Sequence, residues 1–138
     1  MSFTGNWACN TFKTGLMNGT FNFTSNTFYM ALYTNAATLD ATTTAYTSTG
    51  EVVATGYTAG GLALTLAQTP TVGNSGNTAY ISFNNAVWNA ALTARGALIY
   101  TTAGAVCVLD FGSDKTSTTT FTVQFPAVTN TSAIIRIA

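Results

Sequence analysis

The chain has 138 residues, of which 6% are charged; four basic and four acidic side chains balance to zero, and histidine is absent. An ordinary soluble domain carries roughly 25% charged residues, so four cations leave no basic face for nucleic acid, and histidine catalysis and histidine metal sites are excluded. At 47% hydrophobic and 12% aromatic, the chain does not have the composition of a disordered segment, which is rich in charge and poor in aromatics.

In chain order, residues 7–18 are the best helix candidate. Cys9, Phe12 and Leu16 fall at i, i+3 and i+7 and share one helical face. Asn6 is the expected N-cap and Gly19 the expected stop. From Phe21 the pattern turns to β. Residues 27–34 read as a strand, with Phe28, Met30 and Leu32 on one face and Tyr29, Ala31 and Tyr33 on the other. Both faces suit a central strand, or one meeting another chain. Residues 35–50, mostly Ala, Thr and Asn, read as a long loop or a single helical turn. Glu51-Val52-Val53 then leads into a glycine-rich turn from Gly56 to Gly61.

Leu62, Leu64 and Leu66 alternate with Ala63, Thr65 and Ala67 at a period of two. Pro70 to Gly76 reads as a turn, with Gly73-Asn74-Ser75-Gly76 at its tip. Residues 78–89 read as one strand bulged at Asn84-Asn85, followed by strands over 95–102 and 105–111. Gly112-Ser113-Asp114-Lys115 reads as a turn. Phe121, Val123 and Phe125 alternate with Thr120, Thr122 and Gln124 as a strand with one buried side, which Pro126 ends. Residues 133–138 form the last strand. The expectation is one domain over residues 1–138, mainly β. It is an antiparallel, jelly-roll-like β-sandwich of about seven strands with one short N-terminal helix.

Candidate chemistry is thin. Asp110-Phe111-Gly112 spells the metal-binding tripeptide of protein kinases, but the glycine-rich loop, paired lysine and catalytic loop are missing. Asp110 and Asp114 flank a turn and offer too few oxygens for a hard cation without a D-x-[DN]-x-[DN]-G loop. Glycosidase chemistry needs two carboxylates across one cleft, and the spacing of Asp40, Glu51, Asp110 and Asp114 does not single out a pair. A serine or cysteine nucleophile has no histidine base. Gly56 to Gly61 precedes a strand rather than opening a helix, which argues for a turn and against a phosphate cradle. No cofactor, no metal and no enzymatic activity are expected.

Cys9 and Cys107 sit among apolar residues with no zinc spacing and read first as buried free thiols, with a disulfide between them as the alternative. The N-terminus lacks a cationic stretch followed by an apolar one, and no apolar run is long enough to span a bilayer. Folding in a cytoplasm, away from any membrane, is therefore expected. Arg95 heads an apolar strand. Arg136 lies inside Ile134-Ile135-Arg136-Ile137, where it either faces solvent or anchors a contact between subunits. Near-zero charge favours association between copies.

Several segments in series carry a resemblance. They are Phe12-Lys13-Thr14-Gly15-Leu16-Met17-Asn18-Gly19, Tyr29-Met30-Ala31-Leu32-Tyr33, Gly50-Glu51-Val52-Val53, Gly56-Tyr57-Thr58-Ala59-Gly60-Gly61, Ala94-Arg95-Gly96-Ala97-Leu98-Ile99-Tyr100 and Leu109-Asp110-Phe111-Gly112-Ser113-Asp114-Lys115. In this order, over nearly the whole chain, they resemble small virion proteins of tailed bacteriophages. That resemblance implies a particle component and supplies no catalytic residues. The leading expectation is a capsid decoration, or cement, protein located in the virion and assembled in the host bacterial cytoplasm. Its partners would be the major capsid protein and copies of itself, as a homotrimer or dimer. The alternative is a tail or fibre component recognising a glycan or receptor through exposed aromatics; a hydrolase of cell-wall polymers is a third reading. The residues expected at the contact are Trp7, Tyr46 in the 35–50 loop, Asn74 at the 73–77 tip, and Arg136.

Overall fold

The computed structural model describes residues 3–73 and 76–137. In chain order the elements are β1 (Trp7–Ala8), α1 (Asn10–Asn18), β2 (Tyr29–Tyr33), β3 (Leu62–Ala63), β4 (Leu66–Val72), β5 (Ala79–Phe83), β6 (Ala86–Trp88), β7 (Thr93–Thr101), β8 (Gly104–Thr116), β9 (Phe121–Val123) and β10 (Ile135–Ile137). Five strands form one sheet in the order β1-β8-β7-β2-β3, three form a second in the order β10-β5-β4, and β6 pairs with β9. Every pairing is antiparallel. The fold is mainly β and sandwich-like with one short helix near the N-terminus, as the alternation and turn spacing predict.

The helix begins later than its periodicity predicts. Trp7 and Ala8 are drawn into pairing with Val108 and Cys107, so Cys9 takes the N-cap position, in extended backbone and with no side-chain cap bond. Asn6 is not the cap; its Oδ1 accepts the Asp110 backbone N–H at 2.7 Å. Gly19 does stop the helix, at φ +78°, a left-handed conformation that glycine adopts at little cost.

Three strand expectations change for tertiary reasons. The alternating Leu62–Leu66 run is divided between sheets: β3 pairs with β2, whereas β4 pairs with β5. Pro70 lies within β4 rather than in a turn, on the edge of its sheet and at a register shift, where a missing N–H is tolerated. Asn84-Asn85 is a corner between β5 and β6, not a bulge in one strand. The Asn84 N–H donates to Thr65 O at 2.8 Å, and Asn85 Oδ1 accepts the Phe125 N–H at 3.1 Å.

Gly112 to Lys115 does not end a strand either. β8 runs on to Thr116, pairing Lys115 with Ala94 after an excursion in which Gly112 has φ +84°. These divisions raise the described strands from about seven to ten. The 35–50 segment is a loop with no helical turn, and Ala37 and Leu39 within it are buried.

An aromatic seam joins the layers. Phe23 stacks on Phe28 at 4.7 Å, Phe28 meets Phe83 at 6.1 Å, and Phe83 meets Phe125 at 5.7 Å. Phe12 of α1 reaches the same cluster through Phe23 and also meets Phe21 edge-on. Each such pair adds about 0.5–1.5 kcal/mol beyond area burial. The central strand β2 is buried on both faces, as its sequence predicts.

Gly61 marks the tightest backbone approach. It has φ +79°, and a Cβ there would fall 1.7 Å from Met30 O of β2. Both strain and overlap therefore oppose any side chain. We expect Gly61→Ala to destabilise the protein by about 3 kcal/mol or more. Urea unfolding checks this, and an unchanged midpoint would contradict the close approach.

Candidate functional site

Residues 6–8 and 134–137 border one groove of about 380 Å³. Trp7 of β1 and Arg136 of β10 both line it, α1 contributes Lys13 and Leu16, and β8 contributes Leu109. Trp7 is 40% exposed, and its indole N–H donates to Thr4 Oγ1 at 3.2 Å. Arg136 is exposed, and its Nη1 donates to Thr131 O at 2.6 Å, one of the five N–H donors a guanidinium carries. Beside it, Ile137 is 55% exposed. Two expected contact residues, Trp7 and Arg136, therefore share one surface.

The other two are elsewhere. Asn74 lies outside the described residues. Tyr46 belongs to a separate, largely internal cluster built around Glu51, which is 8% exposed. Tyr46 Oη donates to Glu51 Oε1 at 2.5 Å, while the Tyr57 hydroxyl and the Gly60 N–H each donate to Oε2 at 2.7 Å. Tyr57 Oη in turn accepts the Leu32 N–H at 2.8 Å, tying the carboxylate to the middle of β2. Tyr100 stacks on Tyr46 at 5.0 Å and donates its hydroxyl to Gly60 O at 2.6 Å.

Sequence reasoning weighed Glu51 only as one of four candidate carboxylates. The available signal was an acid inside Gly50-Glu51-Val52-Val53 with tyrosines at 46 and 57, but no spacing rule brings in Tyr100. Tyr57 and Trp88 are buried, so neither is among the exposed aromatics that a glycan-binding reading calls on.

The remaining charges are largely engaged. Arg95 Nε donates to Asp110 Oδ1 at 3.1 Å, the one ion pair among the described residues. Asp40 accepts the Thr42 N–H at 2.8 Å and its hydroxyl at 2.6 Å; these bonds hold the Asp40 carboxyl below its ordinary range. Among the described residues no three Cys, Asp or Glu side chains gather as a metal site. No described helix is long and apolar enough to cross a membrane.

Both cysteines are free thiols. Burial pushes Cys9 up to about 11, with the Asp40 charge adding to it. Burial likewise raises Cys107, to about 12. The hydrogen bond to Glu51 and then burial lift Tyr46 to about 12. Tyr33, Tyr57 and Tyr100 are raised chiefly by burial.

The chain matches no protein-family model, no curated protein and no solved structure.

Two expectations follow from the Glu51 cluster and the thiols. Glu51→Ala strands a buried tyrosine hydroxyl and a backbone N–H, and should cost about 2–4 kcal/mol. Glu51→Gln keeps the shape but replaces one acceptor with a donor, and should fall between Ala and the parent in urea midpoint. The thiol and tyrosine pKa values are raised by folding, so the stability they contribute is complete below their unfolded values. It is lost as pH climbs toward the folded ones. Denaturant midpoints should hold level through neutral pH and decline above about pH 9. A midpoint that rises through that alkaline window would contradict the burial of these groups.

Proposed function

We propose that the protein is a structural component of a bacteriophage particle, acting as a capsid decoration protein that binds and stabilises the assembled major-capsid lattice. The observation that carries this reading is a β surface with few unengaged charges and with large apolar side chains left open. Glu51 is internal and Arg95 is paired with Asp110, while Trp7, Met17, Val53 and Ile137 are exposed. Such a surface is a liability on an isolated monomer and an asset on a subunit packed among others. The ordered resemblance to virion proteins of tailed phages points the same way. A protein that binds only the finished lattice stabilises that lattice by mass action. Where its binding sites have local threefold or twofold symmetry, it would act as a trimer or dimer.

Copy number in purified particles is the test. A stoichiometry comparable to that of the major capsid protein, with particles losing heat resistance when the protein is absent, is the expected result. A few copies per particle would overturn the decoration role. They would favour the second reading, a tail or fibre component that recognises a glycan. Trp7 supports that reading as the exposed indole available to stack on a sugar ring. Loss of glycan-array binding in Trp7→Ala would then be expected.

A further inference from the structure

The groove between β1 and β10 carries an electrostatic sign and two strand edges that the proposed role leaves unused. β1 ends the five-stranded sheet and β10 ends the three-stranded one, so each is hydrogen-bonded to a neighbouring strand on one side only. Both strands line the groove. Lys13 and Arg136 line it too, and no carboxylate does. These are two of the chain's four cations. Lys13 Nζ has only the neutral Asn10 Oδ1 at 3.4 Å as a described partner, and Arg136 has the Thr131 carbonyl. Leu16, Leu109 and Ile135 make the rest of the lining largely apolar.

We propose that this groove binds an extended acidic segment of another protein. The segment adds as a strand along the free edge of β10. Its carboxylates meet Lys13 and Arg136, and its alternate apolar side chains rest on Leu16 and Ile135. Strand addition takes its affinity from main-chain hydrogen bonds and its specificity from the alternating side chains. A second copy of this chain is a poor occupant. Of its four side-chain carboxylates, Glu51 is buried, Asp110 is paired with Arg95 and Asp40 is engaged by Thr42, which leaves Asp114 alone to face two cations. A nucleic-acid strand is also poorly matched, because it needs a continuous cationic track rather than two cations over an apolar floor. The inference rests on the decoration reading and specifies how the lattice partner is held.

The test is calorimetric titration of the full chain with a short synthetic peptide alternating Glu and Val. Three controls are its Lys-for-Glu counterpart, a version interrupted by prolines, and oligothymidylate. We expect micromolar binding of the acidic peptide, weakened by salt, and no binding of the controls. Lys13→Glu and Arg136→Glu should each lower affinity by about threefold to tenfold. Both side chains are exposed, so the urea midpoint should not move. Equal binding of acidic and basic peptides, binding of oligothymidylate, or affinity unchanged in both variants overturns the proposal. Self-association that Arg136→Glu abolishes, with the acidic peptide ignored, overturns it in favour of a second copy. Failure of the peptide with particle binding intact sinks the groove and spares the decoration role; the converse sinks only the role.

Discussion

A carboxylate buried in a chain with so few charges needs donors, and Glu51 finds them in three places at once. Tyr46, Tyr57 and Gly60 supply the hydrogen bonds that offset its desolvation. The consequence extends well beyond one residue. Tyr57 also takes the Leu32 N–H, so the glycine-rich turn is fastened to the centre of β2. Gly61, three residues before Leu64, can then pass against Met30 O only because it has no side chain. Tyr100 of β7 closes the cluster through Gly60 O, and its ring carries Tyr46 and the loop behind it. The long stretch from 35 to 61 is held on the sheet by this polar centre together with buried Ala37, Leu39 and Val52 and with bonds such as Ala105 N–H to Thr44 O at 2.9 Å and Tyr33 Oη to Thr47 O at 2.7 Å.

The same economy of charge shapes the outside. With Glu51 internal, Arg95 held by Asp110 and Asp40 held by Thr42, few formal charges remain to label the surface. Two of them, Lys13 and Arg136, come together at the groove between the free edges of two sheets. Sheet edges invite pairing unless they are covered or charged. Here the edge strand β10 carries Arg136, which both discourages indiscriminate pairing and selects the sign of what pairs there.

Much of the architecture was legible in the residues. The alternation of Phe121, Val123 and Phe125 matches a buried, exposed, buried pattern, and the apolar run Tyr29–Tyr33 is a strand buried from Met30 onward. Gly19 ends its helix in the conformation only glycine takes easily. What misled were positions where local signals met a competing partner. Asn6 is a good cap by type, but pairing of Trp7 and Ala8 with β8 moved the helix start past it. Pro70 and Gly112 are turn residues by type, yet an edge and a bulged excursion let strands run through them. Of the expected contact residues, Arg136 stands out in the sequence as a cation inside an apolar strand, but that it lines one groove with Trp7 is a tertiary outcome. Tyr46 lies in the 35–50 loop as expected, and its hydroxyl is spent on Glu51.

By itself, the sequence determined the class of fold, the antiparallel β character and the scarcity of surface charge. Each depends on composition or on a period of two, which a single strand already displays. Only the tertiary structure decided which sheet each half of the 62–72 run joined, which carboxylate became internal, and which two cations met across a groove. Those outcomes join residues far apart in the chain. Tyr46 and Tyr100 converge on one acid's surroundings, and Trp7 and Arg136 line one groove because β1 and β10 border the same space. No local period encodes such distances, because they are set by how the sheets stack after every strand has found its neighbour.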